Sequence, residues 1–246
     1  MGHVMNVDHF HMSDPTFPPH PHAGFSAVTW MLPWSEGGFV NRDSLGDRSR
    51  ITPGSLHWTM AGAGMLHEEI PEHPGTDCEG LQIFVKLPEP LEDTEGRAFH
   101  VDAADIPVVA LGGGRASVLV GELAGAASPV PSHAKTTMFH LELDGQFAIE
   151  VPSGVDAFVV VLRGDAEIDG RSVSSAHAVA LSAGSLATLK GQAASALLAW
   201  SEPMPARPTF AGPFCMFDRG RLLDAQRRYS SGRMGSLSRS SVRWSR

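Results

Sequence analysis

Cysteine is almost absent from this chain: there are two, Cys78 and Cys215, far apart and in no Cys-x-x-Cys arrangement. That excludes a disulfide framework of the secreted kind and leaves two reduced, partly buried thiols as the expectation. No run approaches the roughly 18 apolar residues of a membrane-spanning helix. The opening Met-Gly-His-Val has neither the charged start nor the apolar stretch of a signal peptide, so a cytoplasmic protein without membrane contact is expected. Positive charge is also in short supply. With 19 Lys and Arg against 27 Asp and Glu the net charge is −8, which argues against a polyanionic partner, nucleic acid included.

Several catalytic motifs are missing as well. His67-Glu68 does not extend to a zinc-peptidase His-Glu-x-x-His, because Pro71 stands where the second histidine is required and would break the helix. Gly112-Gly113-Gly114 lacks the glycine spacing of a dinucleotide fingerprint, and no Gly-x-x-x-x-Gly-Lys loop occurs. Ser44 has no glycine two positions before it, so the nucleophile elbow fails, and Asp43 and Ser44 are expected to shape a turn.

What remains is a series of short strand-like runs punctuated by Gly, Pro, Asp and Asn, with amphipathic helices scarce before residue 218. That pattern predicts an all-β protein of sandwich or barrel type, and its hydrophobic content of 42% suffices for packed cores. The polar, proline-bearing stretch Pro88–Gly96 suggests a boundary, giving units 1–95 and 96–217. In the second unit the runs 116–120, 138–143, 146–151, 157–162, 166–168 and 195–200 read as strands, and Gly164 and Gly170 bracket a hairpin carrying Glu167. Residues 218–235 should begin with a helix capped by Asp218, its Leu222 and Leu223 covering a barrel. The Ser/Arg-rich stretch 236–246 has no apolar periodicity and is expected to be a disordered, solvated tail rather than an RNA-binding arm.

Two short groups carry metal-ligand chemistry, His20-Pro21-His22 and His67-Glu68-Glu69. On extended strands residues i and i+2 share a face, so His20 with His22 and His67 with Glu69 could converge on one ion. Competing readings stay open on these residues alone. Five of the twelve histidines fall within the first 22 residues, where chance His-x-His pairs arise, and Glu68, Glu69 and Glu72 could form a solvated acidic turn. His133, His140 and His177 in the second unit are isolated, which predicts no metal there.

The sequence resembles the pirin family. The resemblance rests on His20–Phe25, Asn41–Gly46, Ile51–Gly54, His57-Trp58, Ala61–Gly64, His67–Glu69, Gly80–Phe84, Gly212–Met216 and Gly232–Gly235, and it spans roughly residues 7 to 235. It implies a bicupin, two β-barrels with a single metal in the first, bound by His20, His22, His67 and Glu69. The metal implied is Fe(II), while three nitrogens and one oxygen also suit Mn, Co, Ni, Cu or Zn. The activity implied is that of a quercetin 2,3-dioxygenase, opening a flavonol or related aromatic enediol with dioxygen, with Glu69 as general base. Trp30, Trp58, Met60 and Phe84 are candidates for the pocket wall, although for any single one of them ordinary barrel core is the stronger expectation. A different class of function also follows from the resemblance: an iron-binding, redox-sensitive regulator that meets a protein partner.

The chain departs from the family pattern in two places. Many pirins have Arg where Ala23 stands, which would remove a charge from the metal mouth, and His where Asn41 stands. A monomer is expected, unless the short lead before Asn6–Phe10 leaves a sheet edge exposed and favours self-association.

Overall fold

A computed structural model describes residues 2–238; most of the tail expected at 236–246 lies outside the described residues. Two compact units result, one comprising Met5–Asp105 with the chain from Ala206 onward, the other the residues before Met5 with Ile106–Pro205. Both are built of strands, and the all-β bicupin expectation holds.

Up to Val101 the chain forms nine strands: β1 Val4–Met12, β2 His20–His22, β3 Phe25–Met31, β4 Phe39–Asp43, β5 Arg50–Ile51, β6 Leu56–Met60, β7 Met65–Pro71, β8 Cys78–Lys86 and β9 Arg97–Val101. They form a five-stranded sheet, β1-β8-β3-β6-β9, and a four-stranded sheet, β2-β7-β4-β5. In the larger sheet Thr29 lies between Gln82 on β8 and His57 on β6. One face therefore carries Phe25, Ala27, Thr29, His57, Gln82 and Phe84, while Val28, Trp30, Leu56, Trp58, Met60, Leu81 and Ile83 alternate onto the other. Of the pocket candidates, Trp30, Trp58 and Met60 thus stand on the opposite face from Thr29 and Phe84, and the core alternative holds for them. They are buried there as ordinary core, because a side-chain period of two allows nothing else at their positions.

The second unit contains β10 Val108–Leu111, β11 Gly114–Val120, β12 Glu122–Leu123, β13 Ala126–Ala127, β14 Thr137–Val151, β15 Asp156–Arg163, β16 Asp165–Ile168, β17 Arg171–Ser174, β18 Ala178–Leu181 and β19 Ser185–Ser201. The main sheet runs β10-β11-β14-β19-β15-β18, with the β16–β17 hairpin joined to β19. That hairpin turns at Asp169-Gly170, both with positive φ, as a two-residue turn matched to strand twist demands. Asp144-Gly145 behaves differently. The two strands expected at 138–143 and 146–151 are one strand, β14, because Gly145 at φ +146° opens a bulge opposite β19 instead of reversing the chain. The core is apolar throughout and includes an edge-on Phe139–Trp200 pair at 5.3 Å.

The last segments, β20 Thr209–Ala211, β21 Phe214–Met216 and α1 Arg219–Ser230, belong to the first unit. Asp218 caps α1 as expected, its Oδ1 accepting from the Arg221 amide at 3.0 Å. Leu222 and Ala225 pack with Ala23, Phe214, Met216 and Met234. Leu223 does not join them: one residue round the helix, it is 45% exposed, so only one of the two leucines covers the barrel. Buried Glu92 ties this strap down by pairing with Lys86 and accepting from the Phe217 amide at 2.9 Å and from Arg221 Nη1 at 3.2 Å.

Ala23 is fully buried beneath the strap, and its carbonyl accepts from the Cys215 amide at 3.0 Å. The position therefore faces β21 rather than a metal mouth. Gly24 follows at φ +80°, where a Cβ would run into the Cys215 carbonyl oxygen. Gly24→Ala should accordingly cost about 2 kcal/mol or more in urea unfolding. It should also raise hydrogen exchange in Phe214–Met216 and α1 while β15 stays protected.

Candidate metal centre

Strand β2 is only three residues long, and its register places it: His20 pairs with His67, Pro21 with Leu66 and His22 with Met65. His20 and His22 lie on one face two residues apart, and His67 stands across from His20. The ring centroids are 4.8 Å apart for His20–His22, 4.7 Å for His20–His67 and 4.9 Å for His22–His67. One nitrogen from each ring lies within 4.8 Å of the other two. The structure thus brings three of the four expected ligands together.

Glu69, the fourth, lies in the same cavity but its carboxylate is engaged with Thr29, whose hydroxyl is 2.7 Å from one oxygen and 2.9 Å from the other. Glu68 alternates to the opposite face of β7 and forms a buried ion pair with Arg42, its cross-strand neighbour on β4. The acidic-turn alternative fails on burial, since Glu68 is 2% and Glu69 8% exposed. Asp43 shapes the expected turn, with Oδ1 accepting from the amides of Leu45 at 2.8 Å and Asp47 at 2.9 Å.

Burial sets the protonation states. Desolvation pushes His22 down to about 3 and His67 well below the usual imidazole range, and the neighbouring rings push in the same direction. His20 is lowered too, again chiefly by desolvation. All three rings are therefore neutral near pH 7, with a lone pair available. For His20 the tautomer is determined: Nδ1 lies 2.9 Å from the Pro18 carbonyl, which can only accept, so Nδ1 carries the hydrogen and Nε2 the lone pair. Desolvation raises Glu69 to about 7, against the opposing hydrogen bond from Thr29.

The cluster opens on a cavity of about 330 Å³, within the size range of small-molecule sites. Phe10 and Met12 of β1, Phe17, Phe39 of β4 and Phe84 of β8 form an apolar wall, with Asn6, Asp8 and Gln82 as polar points. Of these only Phe84 stood out in the sequence. For the β1 residues the signal was the alternation Asn6, Asp8, Phe10, Met12, which says that one face is shared but not what it faces. Neutral imidazoles converging beside a carboxylate, on a largely apolar cavity, fit a borderline divalent ion. His20, His22 and His67 would hold it, with Glu69 within the same cavity. His140 in the second unit is a buried hydrogen-bonded histidine, 2.8 Å from Ser195 Oγ.

Residues 1–85 match the family model described as Pirin, and residues 136–235 match the Pirin C-terminal cupin domain. Pirin-1 from Arabidopsis thaliana is 31% identical over 229 residues, 89% of this chain and 78% of that protein. The crystal structure of quercetin 2,3-dioxygenase from Acinetobacter baumannii superposes with a TM-score of 0.86 at 26% identity, covering 96% of this chain and 87% of that one. Bacterial pirin YhhW from Escherichia coli, crystallised with nickel(II), gives a TM-score of 0.66 at 16% identity over 82% of this chain and 84% of its own, which speaks to the fold.

The raised Glu69 carboxyl has a consequence for the metal-free protein. A buried acid that ionises near 7 instead of 4.5 favours folding below pH 4.5 and loses that contribution as pH rises through 7. In chelator-treated protein, Glu69→Gln should therefore stabilise the fold at pH 8 by up to about 3 kcal/mol, and the gain should vanish near pH 4. Urea unfolding at the two pH values measures this.

Proposed function

Because the chain belongs to the pirin family, we propose that its N-terminal barrel is a metal-dependent dioxygenase site of the quercetin 2,3-dioxygenase type, acting on a flavonol or a related aromatic enediol. The observation that carries this reading is the juxtaposition of the three-histidine cluster with a cavity walled by phenylalanines. A resident Fe(II), or another divalent ion held by His20, His22 and His67, would supply Lewis acidity and a route for dioxygen chemistry. The protein's own share is binding, orientation and one proton transfer.

Phe10, Phe17, Phe39 and Phe84 offer ring faces and edges to a flat polycyclic substrate. Such a wall excludes water and leaves the polar edge of the ligand directed at the few polar groups. Glu69 would accept the flavonol 3-hydroxyl proton. Burial raises its carboxyl in the metal-free protein, which eases holding a proton after substrate binds, while a bound cation would favour the ionised form that accepts it. Thr29 orients that carboxylate from β3. The reaction consumes one dioxygen per flavonol and releases carbon monoxide from the opened ring.

The deciding test is anaerobic loading with Fe(II), addition of quercetin and dioxygen, and measurement of flavonol loss and carbon monoxide against His67→Ala. Metal-dependent carbon monoxide from the wild type is expected, and His67→Ala should bind the ion roughly 100-fold more weakly. Phe84→Ala should retain metal but raise KM for quercetin about tenfold, a loss of ~1.4 kcal/mol. Stoichiometric iron with quercetin untouched would overturn the dioxygenase reading and move attention to redox-dependent protein binding.

A further inference from the structure

Strand β1 has two faces, and only one of them looks into the cavity. Asn6, Asp8, Phe10 and Met12 line it, so the alternate residues His9 and His11 lie on the outside of the sheet. There they meet the start of the neighbouring strand, β8, where Glu79 and, one residue before the strand begins, Asp77 stand two positions apart. His9 Nε2 is 2.9 Å from Glu79 Oε1, His11 Nε2 is 3.9 Å from the same oxygen, and His11 Nδ1 is 2.8 Å from Asp77 Oδ2. The two imidazoles stack with centroids 5.7 Å apart at an interplanar angle of 29°. One donor atom from each of His9, His11 and Glu79 lies within 4.8 Å of the others.

We propose that His9, His11 and Glu79, with Asp77 at the rim, form a second, solvent-accessible site for a borderline divalent metal ion such as Zn(II), Ni(II) or Cu(II).

Three features separate this cluster from a chance set of surface ion pairs. The histidines are at i and i+2 on one strand and the carboxylates at i and i+2 beside its partner, so backbone geometry points all four toward one patch. The Glu79 carboxylate is aimed: Trp34 Nε1 donates to Oε2 at 2.8 Å, leaving Oε1 directed at the histidines. Glu79 is also shielded, its side chain 15% exposed, whereas His11 at 58% keeps the patch open for an ion to enter. Two nitrogens with one or two oxygens select a borderline transition ion over Mg²⁺ or Ca²⁺, which prefer all-oxygen sets. Metal–ligand distances near 2 Å require the side chains to close in slightly. His11 can keep its Nδ1 hydrogen on Asp77 while Nε2 meets the ion, and the Nε2 hydrogen that His9 donates to Glu79 would be displaced on binding. The ion would bridge the edge strand β1 to β8 and stiffen the outer edge of the sheet.

The test uses untagged full-length protein and Zn(II). In a His20→Ala/His67→Ala background, which disables the cavity cluster, gel-filtered protein should retain one equivalent of zinc by mass spectrometry. Zinc should raise its Tm, and hydrogen exchange in β1 should slow. Adding His9→Asn/His11→Asn should abolish the retained equivalent, the Tm shift and the β1 protection, with the zinc-free circular dichroism spectrum unchanged. The wild type carrying only His9→Asn/His11→Asn should keep the cavity ion, so failure here and failure of the cavity assignment read out separately. Zinc binding weaker than about 1 μM in the His20→Ala/His67→Ala protein, or binding that survives loss of His9 and His11, would overturn the proposal.

Discussion

The register between β2 and β7 is the constraint on which the site depends. A slip of one residue would turn both β2 histidines away from His67 and present Pro21 in their place. Three residues of strand cannot hold a register by their own hydrogen bonds, so it is held from the flanks. On one side Gly24 turns the chain and donates its amide to the Gly62 carbonyl at 2.8 Å. On the other, the Arg42–Glu68 pair locks β4 against β7 through the face that the histidines do not use. Strap packing on Ala23 closes the end of β2.

That arrangement is electrostatically costly in the metal-free state. Four titratable groups are drawn out of water, and each responds by favouring its neutral form, the imidazoles by falling and Glu69 by rising. A cation would reverse the sign of the problem, since it needs neutral nitrogens and an ionised carboxylate. The single hydroxyl of Thr29 is the polar contact that already favours the ionised form of Glu69.

Strand β1 links the two faces of the sheet. Its cavity-facing residues supply an aromatic wall to a site whose ligands come from β2 and β7, and its outward histidines meet β8 on the opposite surface. One strand at a sheet edge thus borders both a largely apolar pocket and an exposed polar patch.

Local pattern made much of this legible. Strand-like runs, the cap at Asp218, the Asp43 turn and the His-x-His and His-x-Glu spacings are short-range features whose physics is contained in a few consecutive residues. Other features were decided by pairing between distant segments. The sequence could not say that Trp30 and Trp58 lie on the face away from Thr29, that Asp144-Gly145 makes a bulge rather than a turn, or that Leu223 faces water while Leu222 is buried. Nor could it say that Ala23 lies under β21, almost two hundred residues away in the chain. Each of these depends on register or docking, and a repeat of two residues per strand or 3.6 per helix states which side chains share a face without stating what that face meets. The sequence by itself determined the donors and their spacing. Only the tertiary structure decided that three imidazoles converge, that Glu69 rather than Glu68 joins their cavity, and that phenylalanines enclose it, because burial and neighbours are set by strands brought together from across the chain.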